Sequence, residues 1–486
     1  MSLVARKHRR QVPRGVLVLL CLICPGTAMA AGIDAGREDA AVVSRPAVQS
    51  APSIVDVDAI EEPLPVRIGR GFLSLAVLLG VLWLFSTRRS AIRWSLIAKG
   101  IGLQVLFALL VLKTPYGRGF FRVVNEVFVA LIGYTNAGAS FVFGNLAKPL
   151  VPLDGGGEVP LLADFAFGVL PTIIFFSSLM AILYYVGFMQ KIVGGVARLM
   201  QRTLGTSGAE TTSAAGNIFV GQIEAPLLVK PFVGGMTMSE LNTVMTGGFA
   251  TVAGGVLAAY VAMMAGSFPA IAGHLLAASI MAAPAGIVVS KMLLPETERP
   301  VTADGIETEI DLDYSNVIDA AAGGASDGMR LALNVGAILI AFLALIALGN
   351  GVLGWVLGMF GVDGVTIEML LGYLFAPVAW LIGVPLSDAA QVGSLFGVKM
   401  VANEFVAFQL LAESLAGGSE LSPKSVIIAT YALTGFANFA SIAIQIGGIG
   451  GIAPSRRKDV SSLGMRAMLG GTVATWMTAT LAGVLA

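Results

Sequence analysis

Long apolar runs separated by short polar clusters set the pattern of this chain. No Asp, Glu, Lys or Arg occurs in Phe165–Gln190, Leu241–Ser290, Leu331–Val362, Ser425–Ser455 or Ala467–Ala486. A helix needs about 20 mainly apolar residues to cross a bilayer, so Leu241–Ser290 is long enough for two. The pattern predicts spans at 68–87, 96–113, 167–188, 240–265, 268–290, 331–359, 424–449 and 464–485. Between them lie pieces that read as non-spanning. Arg118–Ser140 sets Arg118, Arg122, Asn125 and Glu126 against an apolar stripe, which suits a helix lying in the interface. Leu204–Pro231 and Gln391–Leu415 are apolar with polar centres and read as re-entrant hairpins, whose irregular backbone survives at membrane depth only inside protein or beside a cavity. Met369–Ser387 is open between a ninth span, an interfacial helix and a hairpin limb.

Composition agrees. The 486 residues are 12% charged, against roughly 25% in soluble domains, and the mean hydropathy is +0.84. The fold class is therefore an all-α polytopic membrane protein with about eight transmembrane helices. The formal net charge is +0, which leaves no electrostatic footprint for nucleic acid. Arg88, Arg89, Arg93 and Lys99, then Lys191, Arg198 and Arg202, then Arg456, Arg457, Lys458 and Arg466 form three basic clusters. With eight spans and an outside N-terminus all three fall in the cytoplasm, as the positive-inside rule asks, and the C-terminus is outside.

The first 30 residues read as an export signal. A basic stretch (Arg6, Lys7, Arg9, Arg10, Arg14) precedes apolar Gly15–Cys24, and Ala28-Met29-Ala30 fits a small-x-small cleavage site. An uncleaved signal anchor is the rival. Both cysteines, Cys21 and Cys24, lie in that apolar stretch, so a cleaved chain has no thiol chemistry. Residues 31–67 form an acidic, proline-bearing tail expected to be disordered and periplasmic. The expected organisation continues with scaffold helices at 68–190, a first repeat at 191–291, a polar cytoplasmic linker at 292–330 and a second repeat at 331–486. Gly324-Ala325-Ser326-Asp327-Gly328 matches a hydrolase elbow in form, but that motif needs a preceding strand and none is predicted.

The chemistry concentrates in two polar clusters. Asn217-Ile218-Phe219-Val220-Gly221-Gln222-Ile223-Glu224 precedes Thr246-Gly247-Gly248-Phe249-Ala250-Thr251, and Asn403-Glu404 precedes Thr434-Gly435-Phe436-Ala437-Asn438. Buried ionisable groups in a membrane cost free energy and mark functional sites by default. Paired Gly-interrupted segments in matching halves point to a transporter site at mid-membrane. Gln222 and Glu224 can read the edge of a planar heterocycle. Glu404, Asn438 and Ser441 can hold sugar hydroxyls, with Phe436 as an apolar wall. Asn217, Val220, Thr251 and Val252 can supply an oxygen cage for a small cation. Blander roles compete: Asn217 as a helix cap, Gln222 bonded to nearby backbone, Asp388 capping a helix near an interface, and His274 solvated in a turn between spans.

At these residues the sequence resembles the concentrative nucleoside transporter family, from about residue 68 to the C-terminus. The likeness is strongest at Gly216–Phe232, Met245–Ala259, Asn403–Ala407 and Ala429–Pro454. The resemblance implies a homotrimer of eight-span protomers in a bacterial inner membrane, with two opposed re-entrant hairpins in an inverted repeat and a transport domain moving beside a scaffold. By motif position it implies that Gln222 and Glu224 contact the base, with Val256 close by. Glu404, Asn438 and Ser441 would hold the ribose with Phe436 nearby, and Asn217, Val220, Thr251 and Val252 would bind sodium. One departure stands out. Ile223 occupies a position where the family commonly carries Thr or Ser, which leaves the choice between purines and pyrimidines open. The expectation is a non-enzymatic, cofactor-free nucleoside symporter driven by sodium. The alternatives are proton coupling, a passive channel, or an intramembrane enzyme using Glu224 and Glu404 as acid and base.

Overall fold

A computed structural model describes residues 62–486 except 148–149, 153–157, 161–164, 304, 306–313, 419–420 and 486. The expected signal segment, and the acidic tail up to residue 61, lie outside the described residues. The chain is almost wholly helical. In order run α1 (Leu64–Leu84), α2 (Trp94–Lys113), α3 (Pro115–Phe143), α4 (Leu170–Tyr185), α5 (Phe188–Leu204), α6 (Gly208–Gly216), α7 (Glu224–Leu227), α8 (Lys230–Val233) and α9 (Met238–Ala250). Then come α10 (Gly254–Met264), α11 (Ile271–Leu293), α12 (Val317–Gly358), α13 (Ile367–Leu381), α14 (Ala389–Val401), α15 (Glu404–Ala416), α16 (Pro423–Leu433), α17 (Phe439–Ile452) and α18 (Arg457–Leu485). One small addition to the helical reading is an antiparallel pair, Leu150–Pro152 with Glu158–Pro160.

Hydrogen bonds between distant segments sort these elements into two ends. At the basic end Thr87 N donates to the Leu293 carbonyl (3.1 Å), Gly208 N to the Thr302 carbonyl (2.8 Å), and Arg456 reaches the Met236 carbonyl. At the opposite end Arg70 Nε donates to the Trp380 carbonyl (2.9 Å), and Glu62 pairs with Lys424. The three basic clusters therefore share one end of the molecule. α4 and α12 run antiparallel, with Ser178 Oγ donating to the Ala321 carbonyl (2.8 Å) and Tyr185 Oη to the Ser315 carbonyl (3.3 Å).

These ties give the path of the chain. α1, α2, α4, α9 with α10, α11, α12, α16 with α17, and α18 each pass from one end to the other. α3, at 29 residues, is long and apolar enough to cross a membrane. Yet Phe121 near its start packs on His274 (5.2 Å between ring centres), and Phe143 at its end packs on Phe167 (5.1 Å). Residues 167 and 274 both belong to the end opposite the basic one, so α3 makes no net crossing. Residues 205–236 leave and return at the basic end, and residues 384–422 leave and return at the other. The ambiguous 369–387 stretch is the 15-residue α13, packed on α14.

Two predicted spans are interrupted. The 240–265 span breaks at Thr251–Ala253 between α9 and α10, and the 424–449 span breaks at Thr434–Asn438 between α16 and α17. Gly435 makes the second break possible. Its φ of 116° is left-handed, and a Cβ there would lie 2.7 Å from the Phe249 carbonyl oxygen, so the broken strand of backbone rests directly on the end of α9.

Three expectations need correction. His274 is not in a solvated turn: the turn falls earlier, at Ala265–Ala270, and His274 sits buried in α11 with Nδ1 3.2 Å from Tyr431 Oη. The 292–330 linker is only part loop, because α12 already starts at Val317, and residues 324–328 lie inside that helix, which excludes a nucleophile elbow. Asp388 makes no side-chain cap to its own helix α14. It accepts instead from Ser422 N (3.0 Å), Ser422 Oγ (2.8 Å) and Ser425 Oγ (2.6 Å), and so ties α14 to the start of α16.

The basic end is pinned by two helix caps and a buried lysine. Ser207 with Glu210 and Thr237 with Glu240 form capping boxes that start α6 and α9. Lys291 pairs with Glu210 and with Glu296 (3.4 Å) and donates to Ser239 Oγ (2.8 Å), all three partners coming from different elements. A buried charge left without such partners costs several kcal/mol, about 3–5 when one member of a pair is removed.

Candidate functional site

The two breaks and the two polar turns meet. One continuous series of hydrogen bonds crosses from the first half to the second. Gln222 Nε2 lies 3.1 Å from Ser441 Oγ. Ser441 N donates to Asn438 Oδ1 (2.9 Å), Asn438 Nδ2 donates to Glu404 Oε2 (2.8 Å), and Tyr260 Oη donates to Glu404 Oε1 (3.2 Å). All five side chains are buried. The local folding explains the placement. Asn403 and Asn438 each sit before a helix with extended backbone and cap it, Asn403 accepting from Val406 N and Asn438 from Ser441 N. Glu404 is thereby held in the first turn of α15, where the helix dipole favours a negative charge.

A second convergence lies beside the first. α6 and α9 end against each other: Asn217 Nδ2 is 3.2 Å from where a Cβ of Gly247 would stand. Gly254 N, just past the break, donates to the Phe219 carbonyl at 3.0 Å. Asn217 is fully buried, and neither its Oδ1 nor its Nδ2 has a hydrogen-bond partner. The capping role is thus excluded for its side chain. Thr251 is buried with its hydroxyl donating to the Gly247 carbonyl (2.9 Å), Val252 is buried, and Val220 closes the turn with its N–H on the Gly216 carbonyl (3.0 Å). Two helix C-termini, each carrying partial negative charge, therefore face an unsatisfied amide. Orphaned buried polar atoms are rare and call for a partner. Oxygen donors from half-helix ends are the environment in which coupling cations bind in secondary transporters, so the residues present fit a small hard cation.

The remaining expected residues are placed as follows. Val256 is buried in α10, and Phe436 is half-buried in the second break. Glu224 opens α7 with its side chain exposed and its Oε2 only 2.3 Å from where a Cβ of Gly221 would be, outside the bonded series. Ile223 packs its Cγ2 2.4 Å from where a Cβ of Gly448 in α17 would be.

The chain matches the Na+ dependent nucleoside transporter C-terminus over residues 274–483, the corresponding N-terminus over 73–146, and the nucleoside recognition Gate over 166–287. The uncharacterized transporter YutK of Bacillus subtilis is 46% identical over 418 residues, covering 85% of this chain and 98% of its own length. The chain belongs to the Na+-dependent nucleoside transporter family. Solute carrier family 28 member 3 of Rattus norvegicus is 42% identical over 427 residues, 85% of this chain and 58% of that protein. The structure of CNTnw in an inward-facing substrate-bound state superposes with a TM-score of 0.78 at 45% identity, covering 86% of this chain and 98% of that one. The protein is therefore a multi-pass membrane transporter and not an enzyme, which removes the reading of Glu224 and Glu404 as an acid–base pair.

Sequence reasoning missed three buried groups of this transporter's centre. Tyr260 donates to Glu404. Lys399 Nζ donates to the Ala432 carbonyl at 2.7 Å, just before the second break. Gln445 Nε2 donates to Gln222 Oε1 at 3.1 Å. A signal for Gln445 was present: an amide inside the uncharged Ser425–Ser455 run, four residues after Ser441 and so on the same helix face.

Proposed function

We propose that this transporter takes up nucleosides by symport with a cation, and that the cation is sodium. The observation that carries the reading is the hydrogen-bonded series from Gln222 to Glu404, which links the polar turns of both halves beside the unpartnered Asn217 amide. In this reading Gln222 and Glu224 meet the base, with Ile223 and Val256 shaping its surroundings. Glu404, Asn438 and Ser441 hold the ribose, and Phe436 lines it. Asn217 and Thr251 side-chain oxygens, with carbonyls near Val220 and Val252, hold the sodium ion. Residues 205–236 and 384–422 act as opposed re-entrant hairpins of an inverted repeat, and the protomer works in a homotrimer. The shared basic end lies in the cytoplasm of a bacterial inner membrane, and the described ends of the chain, near Leu64 and Leu485, face the periplasm.

Rat and mouse relatives support the reading by name. Sodium/nucleoside cotransporter 1 of Mus musculus is 40% identical over 428 residues, 85% of this chain and 63% of that protein. The test is uptake of labelled uridine and adenosine into proteoliposomes under an inward sodium gradient, then under a proton gradient alone. Accumulation that needs sodium is the expected result. Accumulation with protons alone keeps nucleoside symport and overturns the sodium site. Equilibration without accumulation makes the protein a passive channel, and no uptake of any nucleoside overturns the reading.

A further inference from the structure

Gln445 is fully buried on α17 and makes two hydrogen bonds through one atom. Its Nε2 lies 3.1 Å from the Met245 carbonyl oxygen and 3.1 Å from Gln222 Oε1. A backbone carbonyl only accepts, so the Gln445 atom facing Met245 is the amide nitrogen. That nitrogen has two hydrogens, and the second points at Gln222. The Gln222 atom it meets must then be the acceptor oxygen. This orients Gln222 in turn, with its carbonyl occupied by Gln445 and its Nε2 turned toward Ser441 Oγ at 3.1 Å. One N–H of Gln222 is left over. The two amides are seated directly on α9: a Cβ at Gly248 would lie 2.9 Å from Gln222 Cβ and 3.0 Å from Gln445 Nε2.

A free side-chain amide presents a donor or an acceptor with equal ease, because a rotation of about 180° exchanges the two ends. A base-reading glutamine with that freedom discriminates poorly between ligand edges. We infer that Gln445 is a specificity-determining positioning residue: anchored on the Met245 carbonyl, it locks the Gln222 amide so that the nucleobase is met by an N–H donor and not by a carbonyl. Gln445 does not touch the nucleoside; it acts through Gln222. The inference rests on the proposed role of Gln222 in reading the base and adds the group that sets its polarity. It also ties base reading to α9, the helix whose end carries Thr251.

The experiment is calorimetric binding of uridine, cytidine, adenosine, inosine and 2′-deoxyuridine to the purified full-length protein in saturating sodium. In Gln445→Met the spread of dissociation constants among the four bases should shrink by about tenfold, the size of one net hydrogen bond. The ratio between uridine and 2′-deoxyuridine, governed from the Asn438 and Glu404 side, should stay within about twofold. A merely structural role would weaken all five ligands together, and that outcome overturns the inference, as does an unchanged spread or a wild-type protein that binds all four bases alike. Gln445→Asn keeps the amide but is one methylene too short to reach both partners, so it should reproduce the Met variant in a gently perturbed background. Gln222→Ala separates the two layers. If it leaves base preference intact, Gln222 does not read the base and the underlying reading fails. If it collapses base preference while both Gln445 variants do not, only the role of Gln445 fails.

Discussion

Asn438 serves Glu404 and its own helix at once: Oδ1 caps α17 by accepting from Ser441 N, while Nδ2 donates to Glu404 Oε2 at 2.8 Å. The cap fixes the side chain, so the bond to the carboxylate is preorganised. Tyr260, stacked on Phe408 with ring centres 4.3 Å apart, holds the other carboxylate oxygen in the same way. A buried carboxylate with two fixed donors keeps the rest of its acceptor capacity for a ligand hydroxyl. Glu404→Gln should therefore abolish nucleoside uptake while leaving the protein folded in detergent, because the amide is isosteric but replaces one acceptor by a donor. Asn438→Ala should weaken uridine binding by roughly 10- to 100-fold, corresponding to about 1.5–3 kcal/mol for a hydrogen bond to a charged group. Uptake assays and size-exclusion profiles of the two variants check this, and near-normal uptake by Glu404→Gln removes the ribose role.

The cation reading makes a separate demand. An unpartnered amide in a buried site is tolerable only if something satisfies it. Asn217→Leu removes the unsatisfied atoms at similar volume, so its thermal stability without sodium should equal or exceed that of the parent. Sodium should then no longer raise the melting temperature, whereas the parent should gain stability as sodium exceeds its dissociation constant. Nucleoside binding by the variant should lose its sodium dependence. A sodium-dependent shift that persists in Asn217→Leu places the ion elsewhere.

The spans and the two polar clusters were legible because bilayer thickness imposes run length and because a carboxylate such as Glu404 is conspicuous between apolar helices. The interruptions inside the 240–265 and 424–449 spans were visible only as glycine content. Their positions depend on packing, as when Gly435 settles on the Phe249 carbonyl. His274 reads as solvated from its nearness to the turn, but it lies inside α11 and Tyr431 supplies a buried partner from another helix. The Gln445–Gln222 bond joins residues 223 positions apart, and no local pattern can encode which two amides will meet.

Asp388 gives a pH dependence with a definite sign. Burial pushes its carboxyl up, but the Ser425 hydroxyl, the Ser422 N–H and the Ser387 and Ser422 hydroxyls outweigh that and hold it below the usual aspartate range. A carboxyl lowered on folding stabilises the folded state fully above its unfolded value, about 3.9, and that contribution is lost as the pH falls through the lower folded value. Asp388→Asn should lower the melting temperature at pH 7, and the gap to the parent should close below about pH 4. Melting curves of the two proteins across pH 3–7 measure it. A gap that widens on acidification contradicts the assignment.

Ile223 of the first polar turn packs against Gly448 of α17. Ile223 Cγ2 stands 2.4 Å from where a Cβ of residue 448 would be, and Cβ of Ile223 stands 3.0 Å from it. Both atoms lie close to the backbone of a β-branched side chain that has little rotamer freedom. Gly448→Ala should therefore force Ile223 aside and cost about 1–3 kcal/mol, the usual range for overpacking. The same substitution in an Ile223→Ser background should be nearly neutral, since serine lacks the Cγ2 methyl. The coupling is measured by a double-mutant cycle on melting temperature, and additivity of the two changes would show that the contact carries no strain. The displaced isoleucine flanks Gln222, so Gly448→Ala should also alter the uridine-to-adenosine uptake ratio, and Ile223→Ser alone should shift that ratio without loss of stability.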